Sequence, residues 1–431
     1  MTDSIERALD QVYREQWARV LAVTIRRTRD VDLAEDIAQE AFLRAMSSWR
    51  RDGLPPNPGG WLMTTTRNIE LDGHRRRQAL ARRLPLLVVD TDGEAGDTDP
   101  DRPFGDERLR LIFTCCHPAL SMEARVALSL RLVCGLSTAG IARLFLVQTP
   151  TMAARITRAK QKIQAAGIPY RVPEGDALDD RMNDVLAVIY LVYTEGHTAG
   201  DGASLRRPEL TRLAIDLISV VRELLPDHPE VMGLAALIRL TESRQDARFD
   251  DTGLAVLLEE MDRSRWDRVA ISDGIDLVER ALRATDRDRP GPYAVQAAIA
   301  ALHAEASSFD ETDWPQVVAL YTVLLGVNPT PVNALARALA NGMARGPETG
   351  LAELDRLAAD RQVAAYPMYP AARADLLRRA GRDSEAASAY LEAASLMTND
   401  VMVRDFRDRA ARLSMSITDR RDAQASSRRA S

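Results

Sequence analysis

Apolar positions recur at helical spacing through residues 1–50, and no Gly or Pro interrupts them before Gly53. That pattern predicts one nearly continuous helix. Asp52-Gly-Leu-Pro-Pro-Asn-Pro-Gly-Gly60 predicts a loop, because such a density of Pro and Gly cannot sustain a helix. Helical periodicity resumes over 61–84 and turns basic in its second half. Residues 106–168 read as several short helices, punctuated by Pro118, Gly135 and the Gln148-Thr-Pro150 turn. From about 178 to 415 the pattern is amphipathic helix with breaks at Pro226–Pro229, Arg289–Pro292, Asn328–Pro331, Arg345–Pro347 and Gly381. Pro292 and Pro331 stand where a first helical turn would put them, since the N–H that Pro lacks is unused there. Residues 416–431 are polar and Arg-rich, which predicts a disordered tail. The predicted class is all-α.

The region 178–415 carries a weak helix-pair repeat. Ala374, Leu377, Gly381, Ala386, Tyr390 and Ala393 occupy the small and aromatic positions of a tetratricopeptide-like unit. A looser unit runs from Trp314 through Tyr321. No clean period phases the whole region, so an irregular helical bundle and a repeat array both remain open.

Charge divides the chain. Residues 1–87 are net +3, residues 88–107 net −7, residues 108–171 net +9 with Glu123 as their one acid, and residues 172–431 net −11. The +9 segment is an electrostatic footprint for a polyanion, and the acidic C-terminal part is not. The stretch 86–105, rich in Asp, Gly and Pro, reads as an acidic flexible linker. The predicted organisation is therefore 1–85, the linker 86–105, 106–170, 178–415 and the tail 416–431. Three cysteines point to a reducing cytosol rather than a disulfide scaffold, and the N-terminus lacks a secretory pattern. Cytoplasmic location and no membrane partner are the expectation.

Three local patterns carry chemistry. In Ala34–Ala45, Ile37, Ala38, Ala41, Phe42 and Ala45 share an inward face. Asp36, Gln39, Glu40 and Leu43 share another, at i, i+3, i+4 and i+7. They form an acidic and amide face with one apolar residue, suited to a basic partner helix; taken alone, such a cluster reads first as a solvated helix face. Trp61–Arg77 places Arg67 and Asn68 one to two turns before Asp72, Arg75 and Arg76. Such residues can contact phosphates and base edges, with Trp61 available to stack against a base or to fill a core. The third pattern, Gly135–Ile163, reads helix, tight turn, helix: Leu136 and Ile141 in a first helix capped by Ser137, and a second helix opened by Thr149-Pro150. Met152, Ile156, Ala159 and Ile163 form the inward stripe of that second helix. Thr151, Arg155, Arg158 and Lys162 cluster on a different face, as a helix entering the major groove requires.

In this order the three patterns resemble the extracytoplasmic-function sigma factors of bacterial RNA polymerase. The resemblance covers residues 8–168 and rests on AEDIAQEAFLRA, WLMTTTRNIELDGHRR and GLSTAGIARLF…TMAARITRAKQKI. The stretches Asp184–Gly196 and Gly291–Glu305 also resemble the subgroup with a long C-terminal tetratricopeptide-like extension. The resemblance implies a region-two helical bundle, a region-four helix-turn-helix domain and a C-terminal helical domain. It implies that Asp36, Gln39, Glu40 and Leu43 meet the polymerase clamp. Trp61, Arg67, Asn68, Asp72, Arg75 and Arg76 would then lie at the −10 element, and Thr151, Arg155, Arg158 and Lys162 at the −35 element. The implied partners are core RNA polymerase, through its clamp and flap, and promoter DNA. The usual basic residue of the recognition helix is Ala153 here, and Ala154 replaces a common Ser, which alters the expected −35 preference.

The charge contrast also predicts contact within the chain between the acidic C-terminal domain and the sigma domains, with a regulatory role of either sign. Segment 184–202 is the candidate docking loop. Cys115-Cys116-His117 invites a metal reading, but adjacent cysteines diverge on a helix, so core thiols are the expectation. No Ser/His/Asp, paired-carboxylate or Gly-rich phosphate pattern stands out, so neither a cofactor nor enzymatic activity is expected. A competing reading is an operator-binding helix-turn-helix regulator with a helical sensor domain. It leaves the patterns at 34–45 and 61–77 without a use.

Overall fold

A computed structural model describes residues 2–83, 105–145, 147–250, 254–285, 290–364 and 366–430. The fold is helical apart from one two-stranded contact and an isolated bridge among the described residues. The predicted linker lies almost wholly outside them. Two compact units divide the chain, Met1–Val188 and Ile189–Ser431.

The first unit opens with α1 (Thr2–Thr28) and α2 (Val31–Asp52). The single helix expected over 1–50 is thus two. Arg29 adopts φ 55°, and the Asp30 carboxylate accepts hydrogen bonds from the N–H groups of Asp32 (2.9 Å) and Leu33 (3.0 Å). An Asp cap that satisfies two orphan donors stops one helix and starts the next without Gly or Pro. After the Pro/Gly loop comes α3 (Pro58–Arg83), with the Asn57 side chain accepting from Gly60 N–H at 2.9 Å. Trp17, Leu21, Phe42, Trp49 and Leu62 fill the core between these helices. The inward face predicted for α2 is buried throughout.

The same unit contains α4 (Gly105–Cys115), α5 (Met122–Leu128) running into a π-helical turn at Ser129–Val133, α6 (Thr138–Leu144) and α7 (Thr149–Ala165). The last of its helices, α8 (Asp176–His197), continues past Val188. The π-helical segment packs against α1: Trp17 Nε1 donates to Leu132 O at 3.1 Å, and Tyr13 Oη to Gly135 O at 2.9 Å. Ser137 caps α6 by accepting from Gly140 N–H at 3.0 Å. Leu136 therefore precedes that helix instead of belonging to it, its N–H donating to Leu130 O.

The second unit follows with a short strand β1 (Asp201–Gly202), then α9 (Pro208–Leu224), α10 (Pro229–Glu242), α11 (Arg268–Ala284), α12 (Pro292–Glu305), α13 (Trp314–Val327) and α14 (Pro331–Arg345). It closes with α15 (Pro347–Leu357), α16 (Arg361–Ala364), α17 (Met368–Arg379), α18 (Asp383–Leu396), β2 (Thr398–Asn399) and α19 (Asp400–Ala430). Pro292 and Pro331 sit in first turns, as their spacing predicts. The clearest predicted repeat unit is the α17/α18 pair: Ala374, Leu377, Ala386, Tyr390 and Ala393 are buried, and Gly381 makes the turn at φ 72°. Helices α10 and α12 touch through backbone, because a Cβ on Gly233 would lie 2.5 Å from Ala294 N. Buried Glu230 accepts there from the N–H groups of Tyr293 (2.8 Å) and Ala294 (3.0 Å), capping α12.

One expectation changes here. Segment 416–430 continues α19 as helix instead of ending in a disordered tail; it contains no Gly or Pro to stop it. The C-terminal end of the candidate segment 184–202 is held in place within its own unit, which leaves its docking role untouched. Fully buried Asn399 donates from Nδ2 to Ala199 O (3.1 Å) and Ser204 O (3.0 Å), and β1 pairs with β2.

Candidate nucleic-acid interface

Helix α7 has two opposed faces. Met152, Ile156, Ala159 and Ile163 are buried, as their spacing predicts, and Pro150 stands in the first turn. Thr151, Arg158 and Lys162 are exposed, and Arg155 is half-buried. Arg158 Nε donates back to Ala154 O at 3.2 Å, which leaves the rest of its guanidinium facing outward. With α6 capped and Ile141 fully buried beneath it, the pair presents a rigid cationic surface, able to bind phosphates and reach base edges.

On α2, Asp36 is exposed, Gln39 and Glu40 are half-buried, and Leu43 is 60% exposed. Gln39 Nε2 donates to Glu35 Oε1 at 3.1 Å, and Glu40 pairs with Arg44 at 2.9 Å. Met46, 40% exposed, extends the apolar part of this face one turn beyond Leu43. Its i+3 spacing from Leu43 is the sequence signal that places Met46 on this face.

On α3, Trp61 is half-buried and meets Trp49 edge to face, ring centroids 5.3 Å apart. It therefore belongs partly to the core while keeping one part accessible. Arg67 and Asn68 are exposed, and Asp72 pairs with Arg75 at 3.6 Å on the surface. Arg76 lies on the same helix, and its side chain is outside the described ones. Arg27 anchors α3 from below, reaching Glu70 (3.0 Å) and Thr66 Oγ1 (3.1 Å); burial pulls its pKa down.

One cluster has no counterpart in the sequence reading. Glu35, only 4% exposed, pairs with Arg131 and, at 2.8 Å, with Lys160 of α7. Lys160 also reaches Asp32 at 2.6 Å. Burial alone would lower the Lys160 pKa, and the hydrogen bonds that its ammonium donates to these two carboxylates outweigh it and raise it. Further contacts of α1 with this second group of helices are Arg26–Glu107 at 3.2 Å and Tyr170 Oη donating to Ala22 O at 3.1 Å. Acidic α2 and basic α7 are thereby joined in one unit, leaving the four predicted residues of α7 outside the junction.

Cys115 and Cys116 are buried, the latter with Sγ 3.5 Å from Ser129 Oγ, and burial pushes both thiols up. His117 Nδ1 accepts from Ala119 N–H. Among the described residues no helix is long and apolar enough to cross a membrane.

Family models match the chain in three places: sigma-70 region 2 at residues 12–80, sigma-70 region 4 at 110–163, and a family of unknown function (DUF6596) at 181–282. An uncharacterized protein of Rhizobium meliloti (strain 1021), R00370, is 41% identical over 386 residues, spanning 88% of this chain and 90% of that one. The ECF RNA polymerase sigma factor SigE of Mycolicibacterium smegmatis is 31% identical over 156 residues, which is 36% of this chain and 60% of SigE. A probable ECF RNA polymerase sigma factor, SigI of Mycobacterium tuberculosis, is 29% identical over 160 residues, 36% of this chain and 54% of SigI. No solved structure matches. Regions 2 and 4 fall on α1–α3 and α4–α7, and the relative matched along nearly the whole length shares the extension. The chain belongs to the extracytoplasmic-function sigma factors, in the subgroup with a long C-terminal helical extension.

Proposed function

We propose that the chain is a promoter-specificity subunit without catalytic activity of its own. Asp36, Gln39, Glu40 and Leu43 dock on the clamp of core polymerase, and the region-four module meets the flap. Trp61, Arg67, Asn68, Asp72, Arg75 and Arg76 read and open the −10 element. Thr151, Arg155, Arg158 and Lys162 hold the −35 element in the major groove. The observation that supports this most is the opposed faces of α7, buried apolar residues on one and open cations on another. The acidic unit behind it regulates initiation.

This reading has a geometric consequence. The two elements lie about 25 base pairs apart, or ~85 Å of duplex at 3.4 Å per step. A compact unit of this length has a radius of gyration of ~16 Å. Both elements cannot be held while α2 and α7 stay joined through Glu35, so promoter engagement separates them.

Reconstitution with sigma-free core polymerase, followed by mapping of transcript starts, tests the reading. Specific starts are expected with the full chain, and charge reversal at Asp36 and Glu40 together should abolish them. Specific DNA binding in the absence of polymerase, with no stimulation of transcription, would favour an operator-binding regulator instead.

A further inference from the structure

Helix α7 changes character along its length. Its first turns are anchored from beneath, with Met152 fully buried and Ile156 nearly so. The residues left exposed between Thr149 and Ala154 are Thr149, Pro150, Thr151, Ala153 and Ala154. All are short, none is charged, and each shows methyl or methylene hydrogens to its surroundings. The cations begin after them, with Arg155 half-buried and Arg158 and Lys162 exposed.

Ala154 holds the middle of the outward side. At 100° per residue it lies roughly 140–180° around the helix from each of Met152, Ile156, Ala159 and Ile163, the four buried residues. Arg158 Nε donates to Ala154 O at 3.2 Å, which draws that side chain back along the helix towards the turn carrying the Ala154 methyl.

Side-chain type decides what such a surface can read in a major groove. Arg or Lys takes guanine, Asn or Gln takes adenine, and Asp or Glu takes cytosine. None of these is exposed between Thr149 and Ala154. Apolar contact remains, and the apolar group that a base presents in this groove is the 5-methyl of thymine. A recognition helix brings its N-terminal residues to the base edges, and short side chains let the backbone come close. Ala has no rotamer freedom to lose on contact, so ordering does not oppose the small gain from one methyl.

We propose, on the reading of α7 as the −35 helix, that it selects thymine through the 5-methyl group, with the Ala154 methyl as the contact and Thr151 beside it. The cations from Arg155 onward hold the duplex, and the neutral turns ahead of them choose the base.

The test uses core polymerase reconstituted with the full chain and the promoter identified by mapping transcript starts. Thymines of the −35 element, on both strands, are replaced one at a time by deoxyuridine. Base pairing is kept and the methyl alone is lost. At one position or more, binding should weaken about fourfold, the worth of one buried methyl. In Ala154→Gly the ratio of thymine to deoxyuridine affinity at that position should fall to about one. Glycine also loosens the helix, but this weakens both duplexes alike, so the ratio and not the affinity is the readout. If specific starts are found and every deoxyuridine duplex binds within about 1.5-fold of its thymine parent, thymine reading is overturned while the promoter-subunit reading stands. A ratio that persists undiminished in Ala154→Gly overturns the role of Ala154. Absence of any specific start removes the promoter-subunit reading, and thymine selection falls with it.

Discussion

Replacing Glu35 by Gln tests whether the junction between α2 and α7 is held by charge. The carboxylate sits against Lys160 Nζ at 2.8 Å and against Arg131, and both cations are largely covered, with side-chain exposures of 13% and 18%. Coulomb's law at an effective dielectric of about 20 gives roughly 6 kcal/mol for one pair at that distance. Desolvating the three ions takes back much of it. Gln keeps the shape and one acceptor but leaves two neighbouring cations with only Asp32, itself 69% exposed, nearby. Breaking a buried pair from one side typically costs about 3–5 kcal/mol, and partial exposure of both cations brings the expectation to roughly 2–4 kcal/mol. Lys160→Met should cost less, about 1–2 kcal/mol, because Glu35 retains Arg131. The double variant should be less destabilised than the sum of the two singles by about 1 kcal/mol, since one cation goes with the anion. Amide hydrogen exchange read by mass spectrometry suits a chain of two units, as it localises the loss. Faster exchange should appear in α2, α7 and Ser129–Val133, and not in the second unit. Glu35→Gln within about 0.5 kcal/mol of the unaltered chain, or exchange changes spread over both units, would refute the argument.

Other outcomes follow from equally local geometry. Lys160 has a raised folded pKa, so its stabilisation is fully present below the unfolded value of 10.5 and is lost as pH rises through the folded value; alkaline titration should loosen α7 in the unaltered chain and not in Lys160→Met. Asn399→Ala strands the carbonyls of Ala199 and Ser204 and removes the acceptor of Val401 N–H (3.0 Å), at about 3 kcal/mol, visible as faster exchange across Thr198–Leu205. Gly233→Ala forces a methyl to 2.5 Å from Ala294 N and should cost about 2 kcal/mol by thermal melt. Arg158→Ala in the polymerase-bound chain should weaken promoter binding and reduce the slope of log affinity against log salt by about 1 if it meets a phosphate. An unchanged slope would take Arg158 off the DNA.

What the chain disclosed in advance was whatever depends on neighbours within one or two turns. The stripe Met152, Ile156, Ala159 and Ile163 is legible because a helix face is a property of spacing alone. The α17/α18 turn is legible because Gly381 at φ 72° is the residue type that such a turn favours. Misreadings came where a side chain overrides spacing. Asp30 cuts a periodic stretch that contains no helix breaker, because two backbone donors are worth more than continuity. Leu136 has the periodicity of the following helix, yet Ser137 starts that helix after it.

The site residues raise a different difficulty. Exposure of Thr151, Arg158 and Leu43 could be anticipated from helix faces, but the partner of Glu35 could not. On a helical wheel Glu35 falls near Phe42, at the edge of the apolar face, and its spacing names no cation to meet it. It is buried because its partner Lys160 comes from 125 positions further along the chain, and no local pattern encodes that pairing. Asn399 is a second instance, reaching carbonyls about 200 positions away. Buried polar groups persist only when partners satisfy them, so each records a long-range contact that apolar spacing cannot register.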